Sequence, residues 1–197
     1  MLTAAALLVL QVAVADTTKP KPFPVRFQGD LGYVSTAGNT SVETLNFGNR
    51  ITGTFGSVVL TQTFNGVSGK SKGAVVTSLW RGSFRADVKL ENTFTAYSLT
   101  TYERNRFAGL ASRVGNIIGL SAQVMRGPRN RLSIEGGVSL TAQRGIAPRG
   151  RDLDFLGGRA ATTFSHAFGP KASLTQSVEL LPNFREGEDL RINTESA

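Results

Sequence analysis

The residues best suited to chemistry are Ser165 and His166, because His166 is the only histidine in the sequence. A serine and a histidine in hydrogen-bonding contact, with an acidic or amide partner, form the nucleophile–base pair of many hydrolases. The two lie in a segment of alternating polarity, however, and adjacent residues of a β-strand point to opposite faces. We therefore expect no catalytic residue here and keep a lipid hydrolase as the alternative.

Metal and cofactor sites are not expected. The sequence has no cysteine and one histidine, so it lacks the usual ligand sets for zinc and other transition metals. Two segments rich in glycine and charge carry acidic residues that could bind divalent cations: Asp152, Asp154, Glu186, Glu188 and Asp189. Charged loops are more often simply solvated, and we favour that interpretation.

Charged residues recur on the polar phase of segments with a period of two. Placed on strands of a closed sheet, they would all point into its lumen. One interpretation is a set of cross-strand ion pairs that fills the lumen, and the other is a cation-lined pore that favours anions. We favour the ion pairs, and the predicted lumen charges are Arg26, Asp30, Arg50, Arg81, Arg85, Asp87, Arg113, Glu135, Arg159 and Glu179.

The formal net charge is +8 over 197 residues. A nucleic-acid interface would require these cations to form a patch or a basic helix. Instead, the arginines are scattered at about one per segment, so nucleic acid is not an expected partner.

The elements that must position these residues are long strands. Apolar and polar residues alternate from Val25 onward, which is typical of strands with two different faces. Several segments exceed the roughly 9 to 11 tilted residues with which a strand crosses a bilayer. The pattern predicts ten strands, at residues 24–36, 41–54, 57–66, 74–90, 93–102, 109–126, 130–144, 153–168, 171–183 and 189–197.

The connections are predicted to alternate in length. Tight turns are expected at residues 54–56, 91–92, 127–130 and 169–171, and longer loops at 36–41, 67–73, 103–109, 145–152 and 185–189. Short turns at one rim and longer loops at the other are typical of outer-membrane barrels, in which the short turns face the periplasm. Aromatic residues near the strand ends, among them Trp80, Tyr33, Tyr97 and Tyr102, then predict an interfacial girdle.

The two ends of the chain have their own signatures. Residues 1–15 are predicted to be a signal peptide, since Ala13-Val14-Ala15 is a small-x-small cleavage site, although the basic start of such a peptide is missing. Residues 16–24 are predicted to be a linker. The last strand stops at Ala197 without a terminal aromatic residue, so we expect residues 25–197 to be a barrel truncated at its C-terminus.

Two stretches resemble the salt-induced outer-membrane proteins, a bacterial family whose domain is of unknown function. The first runs from Gly29–Tyr33 (Gly-Asp-Leu-Gly-Tyr) to Gly38–Thr40 (Gly-Asn-Thr) and is similar to the opening hairpin of that family. The second, Tyr102–Leu110, is similar to its central loop-and-strand motif and is followed by Arg113 and Gly119. Leu132–Gly137 then fits the strand that follows.

The resemblance implies an antiparallel up-and-down transmembrane β-barrel in the outer membrane, with about ten strands present here and twelve in the full-length protein. We expect a structural or narrow-channel role, linked to salt or osmotic stress by the family name alone. The family brings no established catalytic residues, and we expect neither enzyme activity nor a cofactor. The expected partners are outer-membrane lipid, lipopolysaccharide and the barrel-assembly machinery, and the expected state is a monomer. A soluble periplasmic β-protein is the remoter alternative.

Overall fold

The computed structural model describes residues 8–9, 24–36, 41–148, 150–170, 172–186 and 189–197. The predicted signal peptide and linker lie outside these residues, except for Leu8, Val9 and Pro24. In the described part of the chain, the strands are β1 (Leu8–Val9), β2 (Val25–Thr36), β3 (Val42–Phe55), β4 (Val58–Ser71), β5 (Ala74–Lys89), β6 (Phe94–Asn105), β7 (Leu110–Arg126), β8 (Asn130–Gly145), β9 (Leu153–Ala167), β10 (Ser173–Pro182) and β11 (Leu190–Ser196).

The strands form one all-β antiparallel sheet whose order follows the sequence, from β1 to β11. The ten predicted strands are confirmed as β2 to β11, and the two-residue β1 pairs with β2 at Tyr33 and Gly32. Among the described residues, helical structure is limited to a 3₁₀ turn at Arg106–Ala108. None of the described helical structure is long and apolar enough to cross a membrane.

The prediction of a long loop at residues 67–73 is wrong. Strand β4 continues to Ser71, because the long partner β3 offers paired positions as far as Val42. The connection to β5 is then only Lys72 and Gly73, with φ of 50° and 79°. Two consecutive residues with positive φ form the tight hairpin turn that matches the twist of the flanking strands. The predicted alternation of turn lengths therefore fails at this hairpin.

The loop predicted at residues 103–109 is shorter than expected. Strand β6 extends to Asn105, whose side chain accepts a hydrogen bond from the Ala108 amide, and Gly109 ends the 3₁₀ turn with a φ of 74°. As a consequence, Glu103 lies on a strand and not in a loop.

The chain folds into two compact units. Unit 1 comprises Met1–Phe84, Thr101–Val114 and Gln143–Asp152, and unit 2 comprises Arg85–Thr100, Gly115–Ala142 and Leu153–Ala197. In unit 1, Leu45, Phe47 and Ile51 on β3 pair with Tyr33, Leu31 and Phe27 on β2, and all six side chains are exposed. These residues give unit 1 an apolar face.

The distribution of apolar and charged side chains in unit 2 is the reverse of that in a water-soluble protein. Large apolar residues on one face are highly exposed, including Ile118 (69%), Leu140 (60%) and Val138 (56%). On the opposite face, which we call the polar face, the Arg159 side chain is only 9% exposed. Folding in water normally buries apolar groups and leaves charges exposed. Unit 2 therefore combines an exposed apolar face with a polar face on which a guanidinium is buried.

Candidate functional site

The candidate site is a network of charged side chains on the polar face of unit 2. Its members come from five strands: Arg85 and Asp87 from β5, Tyr97 from β6, Glu135 from β8, Arg159 from β9 and Glu179 from β10. We call this set the Glu135 network. They share one face because residues two apart on a strand point the same way, and Glu179 pairs with Ala161, two residues from Arg159. Long side chains reach such diagonal neighbours.

Arg85 joins the first two carboxylates of the network. Its Nη1 and Nη2 donate to Glu135 Oε2 and Oε1 at 3.0 and 2.8 Å, and its Nε donates to both carboxylate oxygens of Asp87 at 2.9 Å. A guanidinium that contacts both oxygens of a carboxylate forms a charge-assisted pair of fixed orientation. Arg85 therefore links side chains of β5 and β8.

Arg159 continues the network across β9 and β10. Its Nε donates to Glu179 Oε1 at 2.6 Å, and its Nη1 donates to Tyr97 Oη at 2.9 Å and to Glu135 Oε2. The second oxygen of Glu179 accepts from Asn193 Nδ2 of β11 at 2.8 Å. Positive and negative groups thus alternate from β5 to β10, with two guanidiniums between three carboxylates.

Tyr97 lies between the two guanidiniums. Its side chain is 3% exposed, and Arg85 Cζ and Arg159 Cζ lie 4.3 and 5.4 Å from its ring centroid, within cation–π range. Glycines leave the space that the ring occupies: a Cβ on Gly119 or Gly137 would lie 2.6 or 3.1 Å from the Tyr97 hydroxyl. The prediction that Tyr97 belongs to an interfacial girdle is therefore wrong.

The polar face of unit 1 carries a smaller cluster around Glu103, a residue that the sequence analysis placed in a loop. Its carboxylate accepts from Arg81 Nη2 at 3.2 Å and from Arg113 Nη1 at 3.3 Å. Arg113 also donates from Nε and Nη2 to Gln143 Oε1 at 2.9 and 2.6 Å. Arg81 is 61% exposed, so screening by solvent makes its ion pair weak.

Three of the ten predicted lumen charges have no salt bridge to another described residue. Arg26, Asp30 and Arg50 share one face of β2 and β3, since they pair with Thr52, Gly48 and Gln28. Each is exposed, and among the described residues none has a salt bridge within 4 Å. The other seven belong to the Glu135 network or to the Glu103 cluster.

Ser165 and His166 have separate hydrogen-bond partners. Ser165 Oγ is hydrogen-bonded to Thr175 Oγ1 at 3.1 Å, whereas His166 Nδ1 lies 2.6 Å from Asn130 Oδ1. The His166 ring also meets the Phe168 ring edge-on at 4.6 Å between centroids. The histidine has an amide partner, as a triad would require, but the adjacent serine is bonded elsewhere.

Replacement of His166 by alanine is expected to lower the free energy of unfolding by about 1 kcal/mol, because one side-chain hydrogen bond is lost. Hydrolysis of a fluorogenic phospholipid ester by the purified chain should not change. The matched variant His166→Gln can keep the contact to Asn130 and should recover stability. An ester hydrolysis that disappears in both variants would instead establish a hydrolase.

The predicted acidic loops have local structural partners. Asp152 Oδ1 accepts from the Gly145 amide at 2.8 Å, and Asp189 Oδ2 accepts from Asn183 Nδ2 at 3.1 Å. Glu188 lies outside the described residues. Within the described ranges, no group of three histidine, aspartate or glutamate side chains could hold a metal ion.

Comparison with known proteins gives a family but no function. No curated protein and no solved structure matched the sequence. A family model described as "Protein of unknown function, DUF481" matches residues 29–197, which include every strand from β3 to β11 and both charged clusters. The chain belongs to this family.

Proposed function

We propose that this protein is an outer-membrane β-barrel of the salt-induced type, with a structural role in the cell envelope and a lumen closed by ion pairs. The observation that carries the proposal is the reversed distribution of side chains in unit 2. Exposed residues such as Ile118 and Leu140 alternate with paired charges such as Glu135 and Arg159. A strand between lipid and a polar interior requires this alternation.

Strand length supports a transmembrane location. Strands β3 to β9 run from 12 to 17 residues, whereas a strand needs about 9 to 11 tilted residues to cross the hydrocarbon. Strands in globular proteins are most often about 5 to 6 residues long. A barrel also requires β1 and β11, the edges of the sheet, to be covered, because unpaired backbone groups cannot reach water at that depth. We propose twelve strands for the closed protein.

The Glu135 network favours a closed lumen over a conducting pore. In a cation-lined pore the guanidiniums would face water and attract mobile anions. Here Arg85 and Arg159 are each bonded to two carboxylates of the protein itself. In this proposal, the apolar face contacts outer-membrane lipid and lipopolysaccharide. Assembly of the barrel requires the barrel-assembly machinery. The link to salt stress rests on the family resemblance.

Purified full-length chain in a planar bilayer is expected to give no conductance steps, because the network leaves its guanidiniums neutralised and held in place. The double variant Glu135→Ala/Arg159→Ala, which removes both partners of the central pair, should give steps. Arg104→Ala removes an exposed charge outside the network and should remain silent.

Stable, anion-selective steps from the unmodified chain would overturn the closed lumen while leaving the barrel intact. The barrel itself is tested by cell fractionation and by heat-modifiable migration on a gel. A chain that appears in the soluble periplasmic fraction and migrates identically with and without heating would be a soluble β-protein.

A further inference from the structure

Unit 2 contains a cavity of about 610 Å³ at the end of its polar face. The cavity lies at the turns of the β5–β6 and β7–β8 hairpins. The two hairpins are joined there by a backbone hydrogen bond of 2.9 Å, which Gln123 N–H of β7 donates to the Thr93 carbonyl. Its volume falls within the range of about 300 to 1,000 Å³ of small-molecule sites.

The walls of the cavity are cationic. Lys89, Arg126 and Arg131 line it against one carboxylate, that of Glu91. None of the three cations has a salt bridge within 4 Å in the part of the chain that the structure describes. Arg85 and Arg159, deeper on the same face, each have two carboxylate partners. All three cations are exposed, and an anion bound among them would be attracted by their combined positive charge.

Most of the cavity lies on the polar face, whereas Arg126, at the end of β7, shares the phase of the exposed Ile118. Lys89 and Arg131 stand two and four residues from Asp87 and Glu135, and Thr95 stands two residues from Tyr97, so all three share the phase of the Glu135 network. Lipid would contact the opposite, apolar face. A ligand in this cavity must therefore be soluble in water.

The Glu135 network lies immediately beyond the cavity. Residues two apart on a strand are roughly 7 Å apart, so Asp87 and Tyr97 stand one step past Lys89 and Thr95. The network is bonded internally, so its guanidiniums are not available to a ligand in the cavity. We call the cavity lined by Lys89, Arg126 and Arg131 the vestibule.

We propose that this vestibule binds a small, multiply charged anion of the phosphate or diphosphate class. Guanidiniums pair with two oxygens of a phosphate at once, and an ammonium supplies a mobile point charge beside them. Ser121, Thr95 and Gln123 add neutral donors to the wall. The inference rests on the proposed function only for the compartment that the vestibule faces, which the short turns place in the periplasm.

The test is isothermal titration of the full-length chain, in zwitterionic detergent micelles at low salt, with inorganic pyrophosphate as the probe. Saturable binding is expected, and it should weaken as ionic strength rises. The double variant Lys89→Gln/Arg131→Gln should bind at least about tenfold more weakly, because it loses two charge-assisted contacts. Arg104→Gln removes an exposed cation outside the vestibule and should bind like the unmodified chain.

Two further results decide the alternatives. Equal pyrophosphate binding by the chain and its double variant would overturn the vestibule site. The second result concerns vesicles. If the chain does not bind pyrophosphate but prefers phosphatidylglycerol to phosphatidylcholine vesicles, and the double variant loses this preference, the cations bind lipid headgroups and the vestibule site is also overturned. Insertion of the chain into vesicles is measured separately by its resistance to carbonate extraction. A chain that inserts but does not bind pyrophosphate overturns the vestibule site, whereas a chain that does not insert contradicts the barrel.

Discussion

Replacement of Arg159 by methionine is expected to lower the free energy of unfolding by about 3 to 5 kcal/mol, the cost of breaking a buried ion pair by removing one partner. The Arg159 side chain is 9% exposed, and its loss would remove a guanidinium that donates to Glu179 at 2.6 Å. Tyr97 would lose its hydroxyl partner at the same time. Unfolding by guanidinium chloride in detergent micelles, followed through the single tryptophan, measures the change.

A matched control comes from unit 1. Arg81→Met removes a guanidinium that is 61% exposed and bonded to one carboxylate, so the expected loss is about 1 kcal/mol or less. The double variant Arg159→Met/Glu179→Gln should recover part of the loss, because Glu179 no longer remains as an uncompensated charge. Equal, small effects at Arg159 and Arg81 would show that the Glu135 network does not hold the strands together.

The antiparallel sheet could be predicted from the sequence because strands β3 to β9 are long enough for their period of two to be unambiguous. Trp80 to Leu90, for example, alternates without interruption, and β5 ends at Lys89, one residue before the predicted boundary. The error at β4 arose from its composition. Ser68, Gly69 and Lys70 are typical of a loop, and only their pairing with β3 keeps them in a strand. Cross-strand partners therefore override local propensity at this hairpin.

The site was predictable in its charges but not in its connections. The phase of Arg85, Glu135 and Arg159 put them on one face, whereas their contacts depend on the register between strands, which a single strand does not reveal. Tyr97 was missed because β6 has few charges to mark its polar face. The useful signal lay on other strands, where Gly119 and Gly137 leave the space that an aromatic ring fills.

The two faces of unit 2 place opposite demands on the same strands. Ion pairs as extensive as the Glu135 network contribute little stability when water competes for them, and exposed apolar residues are unfavourable in water. In the proposed barrel, lipid would bury the apolar face, and the network would fill a polar interior where other hydrogen-bond partners are scarce. The lipid environment thus accounts for both faces with one assumption.

That assumption gives the second large effect, at Val138. This residue is 56% exposed near the middle of β8, which runs from Asn130 to Gly145. If the apolar face meets lipid, Val138→Arg should destabilise the folded chain in vesicles by about 2 to 4 kcal/mol, the cost of an arginine near the bilayer midplane. On a face exposed to water, the same change would cost about 0.5 kcal/mol or less.

Two variants separate depth from local packing. Leu174→Arg places the same charge at the second residue of β10, beside a short turn, where the expected loss is only about 0 to 1 kcal/mol. Val138→Leu keeps position 138 apolar and should be nearly neutral. Equal losses of folding free energy for Val138→Arg and Leu174→Arg would mean that neither side chain contacts the hydrocarbon of a membrane. A larger loss of folding free energy for Val138→Arg than for Leu174→Arg would place position 138 deeper in the bilayer, because the penalty for a charge on the lipid face depends on its distance from the interface.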